Sequence, residues 1–168
     1  MNIERTYRLY GFVPYNLSAI QQGIQFGHAA IEYSIAFQGT PEYKQWSEID
    51  KTFIILNGGT TNTNEERLGT LNTIENTLFN KRVSYATFHE PDLGDQLTAV
   101  VLLADDRVWD REKYPDFTGT YISSGYDSLK PANFNGEYDT WLRQFGETME
   151  EIEQITFLRD YLKSFKLA

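Results

Sequence analysis

The stretch from Asn16 to Phe37 constrains the fold most, because its apolar residues recur at near-helical spacing. These apolar residues are Ile20, Ile24, Ile31 and Ile35, and the small residues Gly23, Gly27 and Ala30 lie beside them. This period predicts an amphipathic helix, N-capped by Asn16, whose isoleucine face packs on a flat partner. Each interior glycine costs a helix about 1 kcal/mol relative to alanine, a cost that close approach of another backbone would offset.

The opposite face of this predicted helix is polar but almost uncharged. Gln21, Gln25, His28 and Glu32 follow one another at spacings that align them in one stripe. One interpretation is a solvated surface that tolerates many residues. The other is that Gln21 and Gln25 contact a ligand.

The elements along the chain alternate between strands and helices. The predicted strands are Thr6–Val13, Lys51–Asn57, Val83–Phe88 and Leu97–Ala104, and the further helices are Glu42–Ile49 and Glu65–Asn80. The nearly continuous apolar run at Lys51–Asn57 predicts a strand that is buried on both faces. The alternation favours a mostly parallel sheet, and the short loop between the last two strands predicts an antiparallel pair. We therefore expect an α/β fold, with a small mixed four-stranded sheet and helices on both faces.

After Ala104 the composition changes, which divides the predicted single domain 1–168 into three parts. These are a core at 1–104, an insertion at 105–137 and a C-terminal helical segment at 138–168, with two helices that meet near Gly146. Several aromatic residues fall in or beside the insertion: Tyr121, Tyr126, Phe134 and Tyr138. They either pin the insertion to the body of the protein or stack on a base.

Composition and charge exclude several classes of function. The 168-residue chain has a net charge of −9 and no cysteine, so disulfides and thiolate metal sites are excluded. Long nucleic acid is an unfavourable partner, because no basic run is present to neutralise phosphates. A small nucleotide is still compatible, held by backbone amides, hydroxyls and aromatic stacking. The sequence contains no signal-peptide pattern and no membrane-spanning run, so we expect a cytoplasmic protein that has no membrane partner.

The glycine-rich loop after the second predicted strand is one candidate binding element. Gly58, Gly59, Thr60 and Thr61 follow Lys51–Asn57 and precede the second helix. Glycines permit tight turns, and amides at a helix N-terminus favour an anion, so the loop is a candidate phosphate contact. The alternative is simple turn and cap chemistry. Tyr15, at the exit of the first strand, would face the mouth of the same site and is a further candidate ligand contact.

The loop that follows the third predicted strand contains His89, Glu90 and Asp92. A histidine that a carboxylate orients can act as a general base, and the loop could also contact a ligand, with Asp92 as the ligand-binding residue. The same residues could form an ordinary turn, or part of a site for a hard metal, although no standard metal spacing is present. His28 likewise has two interpretations, a packed structural histidine or a base that works with Glu32. No metal and no cofactor are expected.

Several of these motifs together resemble type 2 peptidyl-tRNA hydrolases. The run Gln25–Ala30 resembles that family's Gln-x-Ser-His-Ala-Ala segment, KTFIILN lies where the family has a Lys-x-Val-x-Val strand, and 83–104 resembles its closing strand–loop–strand. The run FHEPDLGDQLTAVVL looks like a variant of this domain among small tailed-phage proteins. The resemblance implies a type 2 peptidyl-tRNA hydrolase-like fold, with a pocket between the N-terminus of the first helix and the loops that follow the strands.

This chain departs from the family at the residues that the resemblance would make catalytic. Ile20 and Gln21 stand where the family has Gly-Lys, and the stretch from Glu90 to Gly94 stands where it has Asp-Ala-Gly-Arg-Thr. Glu90 retains a carboxylate, but the lysine and the arginine are missing. The resemblance therefore does not imply ordinary peptidyl-tRNA hydrolysis.

Three functions are compatible with these observations. The first is a phage hydrolase of a small nucleotide, with cyclic host immune signalling nucleotides as one substrate class, which would be an anti-defence activity in the host cytoplasm. In it His89, Glu90 or His28 supply acid–base catalysis. The second is a protein of the same fold that sequesters such a nucleotide without chemistry. The third is a residual peptidyl-tRNA hydrolase. The sequence is also compatible with a homodimer.

Overall fold

The computed structural model describes residues 4–62, 66–117 and 137–168. Its strands are β1 (Tyr7–Pro14), β2 (Thr52–Gly59), β3 (Tyr85–Glu90) and β4 (Gln96–Asp105), in the sheet order β2-β1-β4-β3. The mixed four-stranded sheet is thus confirmed. The expectation of a mostly parallel sheet is wrong: β1 pairs with β2 in parallel, whereas β4 lies antiparallel to both of its neighbours.

The chain divides into two compact units. The first comprises residues 1–106 and 161–168, and the second comprises 107–160. The helices are α1 (Ala19–Phe37), α2 (Pro41–Gln45), α3 (Thr70–Asn80), α4 (Asp106–Trp109), α5 (Glu137–Arg143) and α6 (Met149–Lys163). Most of the predicted insertion, and with it Tyr121, Tyr126 and Phe134, lies outside the described residues. The single-domain organisation stays a prediction.

Helix α1 begins two residues later than Asn16 would place it, because Ser18 is its N-cap. The Ser18 hydroxyl accepts from the Gln21 N–H at 3.3 Å, and Gln21 Oε1 accepts from the Ser18 N–H at 3.2 Å. This reciprocal capping box satisfies two amides at the helix start. The prediction of Asn16 as the cap is therefore wrong, although the predicted helix and its end at Phe37 are confirmed.

The face of α1 that packs on the sheet is not the predicted one. Phe26, Ala29 and Tyr33 are buried, and they form a core cluster with Leu9, Val13, Trp46, Ala99 and Val101. A Cβ built on Gly11 of β1 would lie 2.2 Å from the Phe26 ring, so that ring packs directly on the backbone of the strand. The predicted isoleucine face is exposed instead, with Ile20 at 78%, Ile24 at 50%, Ile31 at 60% and Ile35 at 64%.

Strand β2 is an edge strand of the sheet, so the prediction that it is buried on both faces is wrong. Phe53 is 54% exposed, although its ring contacts Phe26 and Trp46 edge-on. The C-terminal residues cover part of this edge: the Asn57 N–H donates to Lys166 O at 2.9 Å, and the Ala168 N–H donates to Ile55 O at 3.0 Å. The short segment after α1 is helical as predicted, with α2 followed by a π-helical turn at Trp46–Asp50 that buries Trp46.

Helix α3 packs on the sheet through Leu71, Ile74 and Leu78, which are buried. A Cβ built on Gly58 would lie 2.8 Å from Leu71 Cδ1 and 3.1 Å from Phe12 Cβ, so α3 meets the face on which Phe12 lies. Side chains alternate along β1, and Phe12 therefore points away from the α1 face that contains Leu9 and Val13. The helix begins at Thr70, so its predicted first turn is wrong at residues 66–69, and Glu65 lies outside the described residues.

The two predicted C-terminal helices are present as α5 and α6, with Gly146 between them. Helix α5, and α6 as far as Asp160, belong to the second unit. The centre of this unit includes Arg159, a buried cation whose guanidinium donates to Arg107 O at 2.6 Å and to Tyr114 O at 2.8 Å. The guanidinium also lies 4.6 Å from the centre of the fully buried Phe145 ring. Backbone acceptors and an aromatic face together compensate the burial of this charge.

Candidate functional site

The candidate site lies along the border of the sheet at which three strands end, which we call the sheet edge. Strands β1, β2 and β3 run in the same direction, because β1 and β2 are parallel and β4 is antiparallel to both β1 and β3. Their carboxyl ends therefore lie at the same edge. Tyr15 follows β1, Thr60 follows β2, and Glu90 ends β3. These three ends were expected to form the site, and the topology brings them to one edge.

Tyr15 and the glycine-rich loop are joined directly. The Tyr15 N–H donates to Gly59 O at 2.9 Å. The Tyr15 side chain is 60% exposed. The backbone of Tyr15 is therefore fixed to the loop, whereas its aromatic side chain is exposed.

Two amides of the glycine-rich loop, those of Gly59 and Thr60, already have partners within the protein. The Gly59 N–H donates to Asn57 Oδ1 at 2.9 Å, and the Thr60 N–H donates to Thr70 Oγ1 at 2.8 Å. Thr60 in turn accepts at its hydroxyl from the Thr70 N–H at 3.2 Å and at its carbonyl from the Leu71 N–H at 2.9 Å. Thr60 thus caps the start of α3, where a bound phosphate would otherwise accept.

The two glycines of this loop are explained by close packing. Gly59 has a φ of +80°, and a Cβ built on it would lie 2.0 Å from Thr70 Oγ1. Gly58 is enclosed by Leu71 and Phe12. Both positions therefore need glycine for the fold itself, and the glycine pair alone is not evidence for a phosphate contact.

Thr61 and its neighbour Asn62 fasten the loop to the start of β4. The Thr61 hydroxyl donates to Leu97 O, and Asn62 Oδ1 accepts from the Leu97 N–H at 3.1 Å. Asn62 Oδ1 also accepts from Asn72 Nδ2 at 3.4 Å. Asn62 was not among the predicted site residues, although an asparagine that follows a Gly-Gly-Thr-Thr turn is a common source of side-chain to backbone bonds.

His89 and Glu90 are adjacent at the end of β3, and their side chains point to opposite faces of the sheet. His89 Nδ1 lies 3.1 Å from Asp95 O. Glu90 accepts from Gln25 Nε2 at 2.6 Å and from the Asp92 N–H at 3.4 Å. The structure therefore does not bring His89 and Glu90 together as an oriented base. The exposed Asp92 lies in the 3₁₀ turn Pro91–Leu93, which Glu90 caps.

Gln25, a predicted ligand contact, is buried and connects α1 with two strands. Its Nε2 donates to Glu90, and its Oε1 accepts from Thr98 Oγ1 at 2.5 Å. Thr98 is the additional residue of a bulge in β4, since Phe88 pairs with Ala99 and His89 pairs with Leu97. Thr98 was not among the predicted site residues. The sequence does mark it, because it is a hydroxyl-bearing residue within the apolar run Leu97–Ala104.

His28 stacks on Phe88, with ring centroids 4.4 Å apart and ring planes 12° apart. Its imidazole is exposed, and no hydrogen bond or ion pair joins it to Glu32, which is also exposed. This geometry favours the structural interpretation of His28. Gln21 is exposed as well, but its side-chain oxygen is bonded in the capping box. Across 4–62, 66–117 and 137–168 no three His, Asp or Glu side chains converge in a metal-binding arrangement.

Surface depressions occur elsewhere on each unit. One of about 420 Å³ adjoins the end of α3 and the start of β3, with Phe79, Arg82 and Tyr85 in its lining. Another, of about 640 Å³, lies in the second unit beside Leu142, Arg143 and Ile152. None of the predicted site residues lines either depression.

Comparisons with known proteins do not assign a family to this chain. No protein-family model matches it, and no curated protein matches it at a significant level. The resemblance to type 2 peptidyl-tRNA hydrolases therefore stays a prediction from the quoted residues. Among the helices in the described ranges, none has the length and apolar character that crossing a bilayer requires.

Proposed function

We propose that the chain binds a small nucleotide at the sheet edge, between Tyr15 and the loop 57–61, and does not cleave it. The observation that supports this most is the backbone bond from Tyr15 to Gly59, which fixes the backbone that bears an exposed aromatic side chain to the glycine-rich loop. Stacking on an aromatic ring binds a base without requiring cations. This mode suits a chain whose net charge is −9.

Binding without cleavage is favoured because the expected acid–base pair is not assembled. The Glu90 carboxylate is engaged by Gln25 and by the Asp92 amide, and His89 points to the other face of the sheet. A general base must reach the proton that it removes, directly or through one water. The function that fits this arrangement best is sequestration of a nucleotide, with the cyclic signalling nucleotides of host immunity as the class to examine first.

One observation favours a second candidate, a hydrolase of the same nucleotide. His28 lies over Phe88, and Glu90 follows Phe88 by two residues on the same face of β3. An imidazole and a carboxylate therefore share the space between α1 and the end of β3. A phosphodiester is a better substrate for this candidate than a peptidyl-tRNA ester, because Gln21 occupies the position of the family's lysine and caps the helix.

The test is titration calorimetry with a panel of mononucleotides, linear dinucleotides and cyclic dinucleotides, followed by mass spectrometry of the recovered ligand. Tyr15→Ala should weaken binding about 5- to 150-fold, which is the range that loss of one stacked base gives. Phe79→Ala removes an equally exposed aromatic ring at the other end of α3 and should leave the affinity unchanged.

The two candidates give different outcomes. Recovery of unaltered nucleotide supports sequestration. Recovery of a cleaved product overturns it and supports the hydrolase, provided that Glu90→Gln or His28→Gln abolishes the cleavage. If no nucleotide in the panel binds at micromolar concentration, both candidates are wrong.

A further inference from the structure

The outer surface of α1 carries an apolar row of two isoleucine pairs, Ile20 with Ile24 and Ile31 with Ile35, which we call the isoleucine row. Each side chain is at least half exposed. On the helix, the row lies opposite Phe26, Ala29 and Tyr33, which pack on the sheet. Gly27 lies within the row, and a Cβ built on it would have nothing within 4 Å. Four exposed isoleucines on one helix face are characteristic of an interaction site.

The isoleucine row is symmetric about its own centre, which lies between Gly27 and His28. Ile24 and Ile31 are equally far from that point along the chain, and so are Ile20 and Ile35. A second α1 helix that crosses antiparallel at this point would place its Ile31 opposite Ile24 and its Ile35 opposite Ile20. Gly27 at the crossing would allow the two backbones to approach closely. We propose that the isoleucine row is the interface of a two-fold symmetric dimer of this chain.

The distribution of charge favours a second copy over a membrane. Glu32 is the only charged residue in Ala19–Phe37, whereas the whole chain has a net charge of −9. Helices that lie on anionic membranes carry lysine and arginine on their polar face, and α1 has neither. The absence of charge along the row suits the centre of a protein interface. The acidic charges that make two copies repel each other lie outside the row. Salt screens this repulsion and should therefore lower the dissociation constant of the dimer.

The size of the row indicates how strong the dimer is. From Ile20 to Ile35 a helix extends about 24 Å. A contact of that length between two helices buries on the order of 1,000 Å² in total, which is just below the range of stable specific interfaces and within that of weak, transient ones. We therefore expect a dimer that dissociates on dilution through the micromolar range.

Sedimentation velocity at a series of protein and salt concentrations tests this interface. The unmodified chain should shift from monomer to dimer with concentration, and at lower concentrations in higher salt. Ile24→Glu and Ile31→Glu should each raise the dissociation constant at least 10-fold, because each introduces a charge into the contact. Ile49→Glu is the control, since Ile49 is equally exposed but lies outside α1. A monomer at every concentration, or a dimer that Ile24→Glu and Ile31→Glu leave unchanged, overturns the proposal.

The antiparallel arrangement has its own test. A chain with both Ile24→Lys and Ile31→Glu should dimerise again, because each new lysine faces a new glutamate of the other copy. The chain has no cysteine, so single cysteines also report the geometry. Gly27→Cys lies at the crossing and should form an intermolecular disulfide under mild oxidation, whereas Gly39→Cys, beyond the helix, should not. Equal crosslinking of the two variants contradicts a two-fold axis between Gly27 and His28.

Discussion

Gln25 Nε2 donates a 2.6 Å hydrogen bond to Glu90 Oε2 and so joins the middle of helix α1 to the last residue of strand β3. The same amide accepts from the Thr98 hydroxyl through its oxygen. One buried side chain thus holds a carboxylate and a β-bulge at the edge of the sheet where the candidate site lies. A hydrogen bond to an ionised group is stronger than a neutral one, so the network stabilises this edge.

Gln25→Ala should lower the free energy of unfolding by about 1–3 kcal/mol, because the change removes both bonds and leaves the Thr98 hydroxyl buried without this acceptor. Glu90→Gln should cost less, since its amide oxygen can still accept from Gln25. Urea unfolding followed by circular dichroism gives both values. Gln38→Ala, an exposed glutamine at the end of α1, is the matched control and should change the free energy by less than about 0.5 kcal/mol.

Gly11→Ala should destabilise the fold by about 1–3 kcal/mol, because its new methyl group would lie within the Phe26 ring contact. Phe26→Leu in the same chain makes room for the methyl group and should recover part of the loss. The double-mutant cycle of the two changes measures this coupling.

Gly23→Ala meets no atom within 4 Å and lies in a helix, so it should stabilise by up to about 1 kcal/mol. Equal effects of Gly11→Ala and Gly23→Ala would contradict the packing of Phe26 on β1.

Helix α1 shows what periodicity predicts and what it does not. The period located the helix and its end at Phe37, because apolar side chains recur on it. It did not identify the buried face, since two apolar stripes are present and both have helical spacing. The stripe that covers the sheet is Phe26, Ala29 and Tyr33, where the small Ala29 lies between two aromatic rings. The aliphatic row is left on the surface, a result that depends on tertiary packing rather than on local sequence.

The site was predictable to a similar extent. The resemblance implied a pocket beside the loops that follow the strands, and the topology places the ends of β1, β2 and β3, with Tyr15, Thr60 and Glu90, at one edge. The side-chain partners could not be predicted, because they join residues far apart in the chain. Gln25 and Thr98 are 73 positions apart, and their bond depends on the bulge in β4. By contrast, the Ser18–Gln21 capping box is a local pattern that the sequence alone could have revealed.

Thr70→Val should destabilise the first unit by about 1–3 kcal/mol, because the Thr70 hydroxyl accepts from the Thr60 N–H and donates to Gly58 O, each at 2.8 Å. The change also leaves the Thr60 amide without its acceptor at the proposed nucleotide edge. Urea unfolding measures the loss. Thr73→Val, one turn later on the exposed side of α3, is the control, since its hydroxyl makes only a 3.5 Å contact with Gly69 O. A Thr70→Val protein as stable as the Thr73→Val protein would show that these bonds contribute little.

Asp116 should make the second unit sensitive to acid. Desolvation raises the pKa of its carboxyl, but the hydrogen bond from Arg159 at 2.8 Å, together with Arg111, lowers it more, so the net pKa lies below the ordinary 3.8. A carboxyl with a depressed folded-state pKa contributes stability that is complete above the unfolded-state pKa. That contribution is lost as the pH falls from about 4 through the folded-state pKa. The effect is modest, because the side chain is 57% exposed and solvent screens the pair.

Asp116→Asn should therefore reduce the difference in stability between pH 6 and pH 3. Urea midpoints from tryptophan fluorescence measure this difference, since Trp141 of the second unit donates to Pro115 O at 2.8 Å, next to Asp116. Glu112→Gln is the control, because this exposed carboxylate of the same unit has no ion-pair partner among the described residues. If Asp116→Asn and the unmodified chain lose the same stability between these two pH values, the coupling of Asp116 to Arg159 does not contribute to the acid response.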